Sequence, residues 1–549
     1  MSNRVVPAEG PRARSWRREW PFAVGLTLGL ALLLHPAWPR GVQPLGADWE
    51  TWLASAGHLL LDPMAYEYNG WRRPLYPLLL GLLGGGGSWV AAGQALALVA
   101  SLVTVASAGL LGRVLAGPLA GGLSALATAG MPLVLAGSFW VNPYPSSAAA
   151  TGVALAAGVA CTRRPAWPWA LLAGGAAGFA WALDTRGAVL AACVPVLFML
   201  APVSWRRRFA LAGLAILCIA AFYGLDRWVQ AHWDLDLVPL GRQVELQHGL
   251  DRGPGAPRNA GWVSDLPACQ GPRSARLTPG GLFDACASAR RALNVRSLHR
   301  AYPPPAWLLV ALVPLALLPG RRDVRGSAAA AVVFLPGVLV LFVSLSWVPF
   351  ADRYLLPWAP CIGALGPVAC MRAGATAGRW RGTSLVASAL ALAWTITASP
   401  GLRAARDPLS MLRTWAVVPS TGDVREVLAR HAASLGPQDL LLDCASMHVQ
   451  ARLMPARPPV SQAPPHDAAC LAFARHPPSG AGERWLYTRH PPVEAGMPRT
   501  IDPAKVARLG WEEVPFETDP TSCNAGLATE VRRWRLLRMG RADDAASGR

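Results

Sequence analysis

Apolar runs of membrane-spanning length recur along the first 400 residues. A spanning helix needs ~20 mostly apolar residues. Runs that approach this occur at 20–38, 88–111, 117–138, 145–161, 167–184, 187–203, 209–228, 305–319, 327–347, 354–372 and 383–398. The short loops between them alternate in charge. With the N-terminus inside, every second loop is basic. These loops hold Arg113, then Arg163 and Arg164, then Arg206 to Arg208, then Arg321, Arg322 and Arg325, then Arg372, Arg379 and Arg381. The positive-inside rule assigns them to the cytoplasmic side. The intervening loops hold Asp48 and Glu50, the turn 142–147, Asp184 to Arg186, the long segment 229–304, and Asp352 with Arg353. These are expected outside. An odd number of spans puts the chain from Ser399 onward outside too. Pro195 in run 187–203 and the prolines of run 305–319 predict broken or tilted helices there. The first run follows Arg12, Arg14, Arg17 and Arg18 and reads as a retained signal anchor.

The first outer loop, 39–87, is too polar to cross. It opens with Asp48 and Glu50. Trp49, Trp52, Leu53, Ala56 and Leu60 then recur at helical spacing, which predicts an amphipathic helix lying in the membrane interface. Arg72 and Arg73 follow, and Pro74 and Pro77 open a second short apolar segment that ends at the glycine run 84–87. Segment 229–304 is Arg-, Pro- and Gly-rich and reads either as a solvated loop or as a lid over an acceptor site. After residue 399 the pattern changes. A helix is expected at Val424 to Ser434 and another at His448 to Leu453. Strands are expected at Asp439 to Asp443, Glu483 to Thr488, Glu512 to Phe516 and Val531 to Arg538, with Pro-rich loops such as 455–465 between elements.

The expected fold is therefore an all-α polytopic membrane domain of about eleven transmembrane helices, with interfacial helices in its first outer loop, and a small α/β extracytoplasmic domain. Residues 1–19 form a basic cytoplasmic N-terminus, 20–398 the membrane domain, 399–540 the α/β domain and 541–549 a disordered tail. The multi-pass chain is expected in an inner (cytoplasmic) membrane.

Composition agrees. Of 549 residues, 53% are hydrophobic and only 15% charged, against ~25% charged in soluble domains. The net charge of +19 comes almost wholly from arginine, Lys505 being the one lysine. That is a composition bias, and nucleic-acid binding would need a soluble basic face. Of the ten cysteines, Cys269 and Cys286 share the long outer loop and are a plausible disulfide if that loop meets an oxidising compartment. No Cys/His spacing suggests a metal site.

Four stretches carry a family resemblance. They are Asp48 through Trp52 and Ala56 on the outer-loop helix; Arg73-Pro74-Leu75-Tyr76-Pro77-Leu78; Leu183-Asp184-Thr185-Arg186; and Asp352-Arg353-Tyr354-Leu355-Leu356-Pro357. In order and in their common outer placement they resemble the GT-C superfamily of polyprenyl-phosphate-dependent glycosyltransferases, of the protein O-mannosyltransferase and lipid A aminoarabinose transferase type. Two departures stand out. Asn142-Pro143-Tyr144-Pro145-Ser146 lies where many relatives carry an acidic residue, and Trp49 separates Asp48 from Glu50.

The resemblance implies an enzyme that moves a sugar from a polyprenyl-phosphate donor to an extracytoplasmic lipid, glycan or protein acceptor. Asp48 would be the catalytic base, with helix N-cap as its alternative role. Glu50, Arg73, Tyr76, Arg186, Arg353 and Tyr354 would contact substrate. Glu50 would do so as a metal or acceptor ligand, and the arginines as bidentate donors to the lipid phosphate. The resemblance names no certain cofactor, and a divalent metal is compatible with it. Two other classes stay open: a transporter or flippase of lipid-linked glycans, which should carry ionisable groups at mid-membrane and repeated halves, and a non-catalytic scaffold.

Overall fold

A computed structural model describes residues 11–35, 43–44, 48–61, 68, 72–85, 88–235, 237, 288–289, 291–292, 295, 306–318, 324–347, 352–377, 381–398, 416–417, 430–436, 438–443, 460–462, 475–476, 482–489, 508–515 and 534–539. Most of the loop 229–304 with Cys269 and Cys286, the expected helix 448–453 and the tail 541–549 lie outside these residues.

The membrane domain runs α1 (Pro11–Leu33), β1 (Gln43–Pro44), α2 (Asp48–Leu60), α3 (Leu75–Gly84), α4 (Trp89–Ala116), α5 (Pro118–Ala129), α6 (Pro132–Gly137), α7 (Pro143–Arg163), α8 (Trp167–Leu183), α9 (Gly187–Met199), α10 (Trp205–His232), α11 (Ala306–Leu317), α12 (Val324–Trp347), a 3-10 turn (Asp352–Trp358), α13 (Ala359–Ala377) and α14 (Arg381–Ala398). Among the described residues, four helices are long and apolar enough to cross a membrane: Trp89–Ala116, Pro143–Arg163, Trp205–His232 and Val324–Phe342. Shorter apolar helices lie at Glu19–Leu33, Leu75–Gly84, Pro118–Ala129, Gly187–Met199, Leu308–Leu317 and Val386–Thr397. The segment 117–138, expected as one span, breaks in two. Pro132 has no N–H to give and disfavours helical backbone before it, so Met131 is extended. The whole of α6 is buried, which is where non-helical backbone at membrane depth is tolerated.

Large apolar side chains face outward as well as inward. On α10, Phe209, Ile216 and Leu217 are exposed while Leu211, Ala215 and Ile219 are buried. Where α1 meets α5, backbone touches backbone: a Cβ on Gly25 would collide with Gly122, and one on Gly122 with the Pro21 carbonyl. Only glycine permits that approach, the same economy that brings transmembrane helices together.

Arg372 departs from expectation. It was expected in a cytoplasmic loop, but α13 continues to Ala377 and encloses it, 5% exposed. Its guanidinium donates to the carbonyls of Leu115 in α4 (3.3 Å) and Leu318 just past α11 (3.1 Å), and to Ser327 Oγ in α12 (2.7 Å). The last carbonyls of a helix lack intrahelical partners, and one arginine serves two such ends. Arg113, at the end of α4, pairs with Glu19 of α1 at 2.9 Å.

The tail forms a five-stranded mixed sheet of order β4-β3-β5-β7-β6: β3 (Leu440–Asp443), β4 (Val460–Gln462), β5 (Arg484–Arg489), β6 (Glu512–Val514) and β7 (Trp534–Met539). β4, β3 and β5 are parallel, whereas β7 is antiparallel to β5 and β6. Strand β4 falls inside the Pro-rich segment expected as loop. It lies at the sheet edge, where flanking prolines cost no ladder bond. Asp439, expected as the first strand residue, is instead a turn acceptor, taking the Gly436 N–H on Oδ2 and the Glu483 N–H on Oδ1, both at 2.8 Å. A second, two-stranded ladder pairs β1 with β2 (Ala416–Val417), Gln43 opposite Val417. It holds the start of the tail against the first outer loop.

His431, on the described part of the helix expected at 424–434, packs edge-on against Trp485 of β5, centroids 4.2 Å apart. Burial lowers its pKa below 6.5, with Glu483 and Asp439 acting in the opposite sense. The fold thus favours neutral His431, and its contribution is complete above pH 6.5 and shrinks as pH falls below it. Limited proteolysis of the tail is expected to accelerate on acidification below that point, and His431→Gln should flatten the acid dependence.

Candidate functional site

Three of the four resembling stretches meet at one end of the helical domain. In α2, Trp52, Leu53 and Ala56 pack with Leu75, Tyr76 and Leu80 of α3, with Trp89 of α4, with Val141, and with Ala182 and Leu183 at the end of α8. Every residue from Trp52 to Gly57 is buried. This corrects the expectation of a helix laid flat with one face open. A helical segment buried on every face packs as interior, while His58 and Leu60 beyond it are half-buried. Part of its cover comes from far along the chain, since Trp233, just beyond α10, donates Nε1–H to the Leu59 carbonyl at 2.8 Å. The 3-10 turn carrying Asp352 and Arg353 packs on α6 and α7, where Leu356 fills the space a Cβ on Gly137 would need.

Arg73 leads into α3 and forms an ion pair with Asp226 of α10. Arg72, its neighbour, lies over the Trp52 ring at 4.7 Å, a cation–π contact. Trp52 in turn meets Tyr76 edge-on, centroids 5.4 Å apart. Tyr68 donates to the Arg72 carbonyl at 2.7 Å. Burial, reinforced by the nearby Asp226 carboxylate, raises the Tyr68 phenol far above its ordinary range, so it stays a neutral donor. His58 faces the Tyr68 ring at 5.6 Å.

Asp184 and Arg186 pair with each other. Asp184 Oδ1 accepts the Arg186 backbone N–H at 3.0 Å and its Nε–H at 3.1 Å, while Oδ2 lies 3.1 Å from Nη2. The Arg186 guanidinium also lies over the Tyr144 ring at 5.4 Å. Asn142 caps α7 by accepting the Tyr144 N–H at 3.0 Å, a role an amide fills as well as an acid.

Among the described residues, the buried polar atoms here without a hydrogen-bond partner include Trp52 Nε1, the Tyr76 hydroxyl, Ser146 Oγ and Asp226 Oδ1. Such groups call for a water, an ion or a ligand.

Of the expected site residues, Arg73, Tyr76 and Arg186 are brought to this end of the domain with their side chains described. Asp48 and Glu50 begin α2, and Arg353 and Tyr354 sit in the 3-10 turn, but their side chains lie outside the described residues. Among the described residues no three His, Cys, Asp or Glu side chains gather as a metal site. Sequence reading missed Asp226, which lies inside the expected span 209–228, and Gln230 and Trp233, which fall in the expected loop 229–304. A signal was present: an acid inside an apolar helix faces the protein interior, and Gln230 follows Asp226 at i+4.

Neither a family model nor a curated protein sequence matches this chain. Solved structures do. The crystal structure of ArnT from Cupriavidus metallidurans in the apo state is similar over 96% of this chain and 98% of that one, at 13% identity and a TM-score of 0.52. The same ArnT bound to undecaprenyl phosphate is similar over the same shares, at 14% identity and a TM-score of 0.51. Over 96% of its length the chain therefore has the fold of the ArnT structures, in keeping with the resemblance its four sequence stretches carried.

Proposed function

We propose that this chain is a membrane glycosyltransferase that moves a sugar from a polyprenyl-phosphate donor to an acceptor outside the cytoplasmic membrane. One observation carries the reading: the outer-loop helix, the Arg73–Leu78 segment and the Leu183–Arg186 turn, far apart in sequence, share one buried patch rich in guanidinium groups. ArnT, whose fold this chain shares, has been solved with undecaprenyl phosphate, the class of lipid such a patch suits.

Attack on the anomeric carbon needs a base on the acceptor and charge stabilisation on the departing phosphate. Asp48, at the start of α2, is the base in this reading. Arg73 binds the phosphate, with Arg186 and Arg353 as its further bidentate donors. Tyr76, buried with an unbonded hydroxyl, and Tyr354 contact the donor, and Glu50 holds the acceptor or a divalent cation. Eleven spans with an inside N-terminus place the first outer loop and the tail on one side, which is supported by the β1–β2 ladder that joins them.

Purified protein in detergent is expected to bind undecaprenyl phosphate, and to release it from undecaprenyl-phosphate sugars when supplied with membrane extracts as acceptor. A chain that binds no polyprenyl phosphate and consumes no donor from a panel of hexoses and pentoses would overturn the proposal.

A further inference from the structure

The contact between Arg73 and Asp226 joins residues 153 positions apart. The Asp226 side chain is 1% exposed and that of Arg73 20%. Asp226 Oδ2 takes two donors, Arg73 Nη1 and Gln230 Nε2, the latter at 2.7 Å. Gln230, itself buried, accepts from Arg227 Nη1 at 3.0 Å through Oε1. A chain of bonds thus runs from exposed Arg227 through Gln230 and Asp226 to Arg73.

As a device for stability alone this is poor chemistry. Burying a carboxylate costs several kcal/mol, which a pair repays only when the other lone pairs are also satisfied. Among the described residues Oδ1 has no hydrogen-bond partner. What the arrangement does do is hold one amino group of the guanidinium. A phosphate is bound by two N–H groups of the planar fork. With Nη1 held, the fork cannot swing, and its remaining donors have one orientation. Nor does Asp226 cancel the local charge, since Arg73 and Arg227 both act on this one carboxylate and Arg72 joins Arg73 beside Tyr68. An anion is still attracted.

We propose that Asp226 is a positioning residue that orients Arg73 toward the phosphate of the lipid-linked substrate, with Gln230 fixing the carboxylate in turn. The inference rests on the reading of Arg73 as the phosphate ligand.

The test is a double-mutant cycle on binding of undecaprenyl phosphate by the purified full chain, with melting temperature measured beside it. Asp226→Asn is expected to weaken binding about tenfold and Arg73→Gln at least as much. The double variant should bind no worse than Arg73→Gln, because Asp226 acts only through that arginine. Should Asp226→Asn fail to fold, Gln230→Leu replaces it: it removes the amide donor while keeping every charge, and its weaker effect should vanish in the Arg73→Gln background. Unchanged or tighter binding by Asp226→Asn, a loss of melting temperature without a loss of affinity, or two single effects that multiply in the double variant would each overturn the inference. If Arg73→Gln itself binds like wild type, the phosphate reading of Arg73 fails. If Arg73→Gln weakens binding while Asp226→Asn and Gln230→Leu do not, the positioning role alone fails.

Discussion

Asp48→Asn is expected to give a folded protein whose sugar transfer is slower by about two to four orders of magnitude, the usual cost of losing a general base. The substitution separates the two roles open to this residue. Helix α2 begins at Asp48, so a capping role is the simplest structural explanation. Asparagine caps a helix as well as aspartate does, and the melting temperature should therefore hold. An amide cannot accept the acceptor's proton, and transfer should therefore fall. The measurement is turnover per folded molecule with an undecaprenyl-phosphate sugar, alongside binding of undecaprenyl phosphate, which should survive. Transfer at the wild-type rate would remove Asp48 from the chemistry and leave it as a cap.

The largest expected effect on stability lies at the opposite end of the domain. Arg372→Leu should cost about 2–6 kcal/mol, roughly 1–3 kcal/mol for each of the two buried carbonyls left without a donor. Arg372 is 5% exposed, and its guanidinium donates to two helix-end carbonyls and a hydroxyl. Leucine fills part of the volume but gives none of these bonds, so the ends of α4 and α11 would be left buried and unsatisfied. Arg372→Lys should recover part of the loss, since an ammonium reaches fewer of three divergent acceptors than a fork does. A drop in detergent melting temperature, with undecaprenyl phosphate affinity per folded molecule unchanged, is the expected result. A variant as stable as wild type would show that water serves those carbonyls equally well.

The sheet in the tail illustrates how far local pattern reaches. Leu440–Asp443, Arg484–Arg489 and Trp534–Met539 announce themselves as strands because their apolar runs are strong on their own. Val460–Gln462 does not. Three residues among prolines become a strand only because β3 offers them a parallel edge. Likewise the break before Pro132 was written in the chain, yet an uninterrupted apolar run concealed it.

By itself the sequence determined that this is a polytopic membrane chain and where most helices start and stop, because apolar length and arginine placement are local properties read against a bilayer. It also marked Arg73, Tyr76 and Arg186 as residues to watch, through short motifs at the ends of apolar runs. Only the tertiary structure decided that α2 is enclosed rather than laid on a surface, that Arg372 staples helix ends inside the fold, and that Asp226 is the partner of Arg73. Each of those depends on contacts between residues tens to hundreds of positions apart. A charge does not record in its own neighbourhood which distant group will neutralise it, and burial is set by what packs against a helix from elsewhere in the chain.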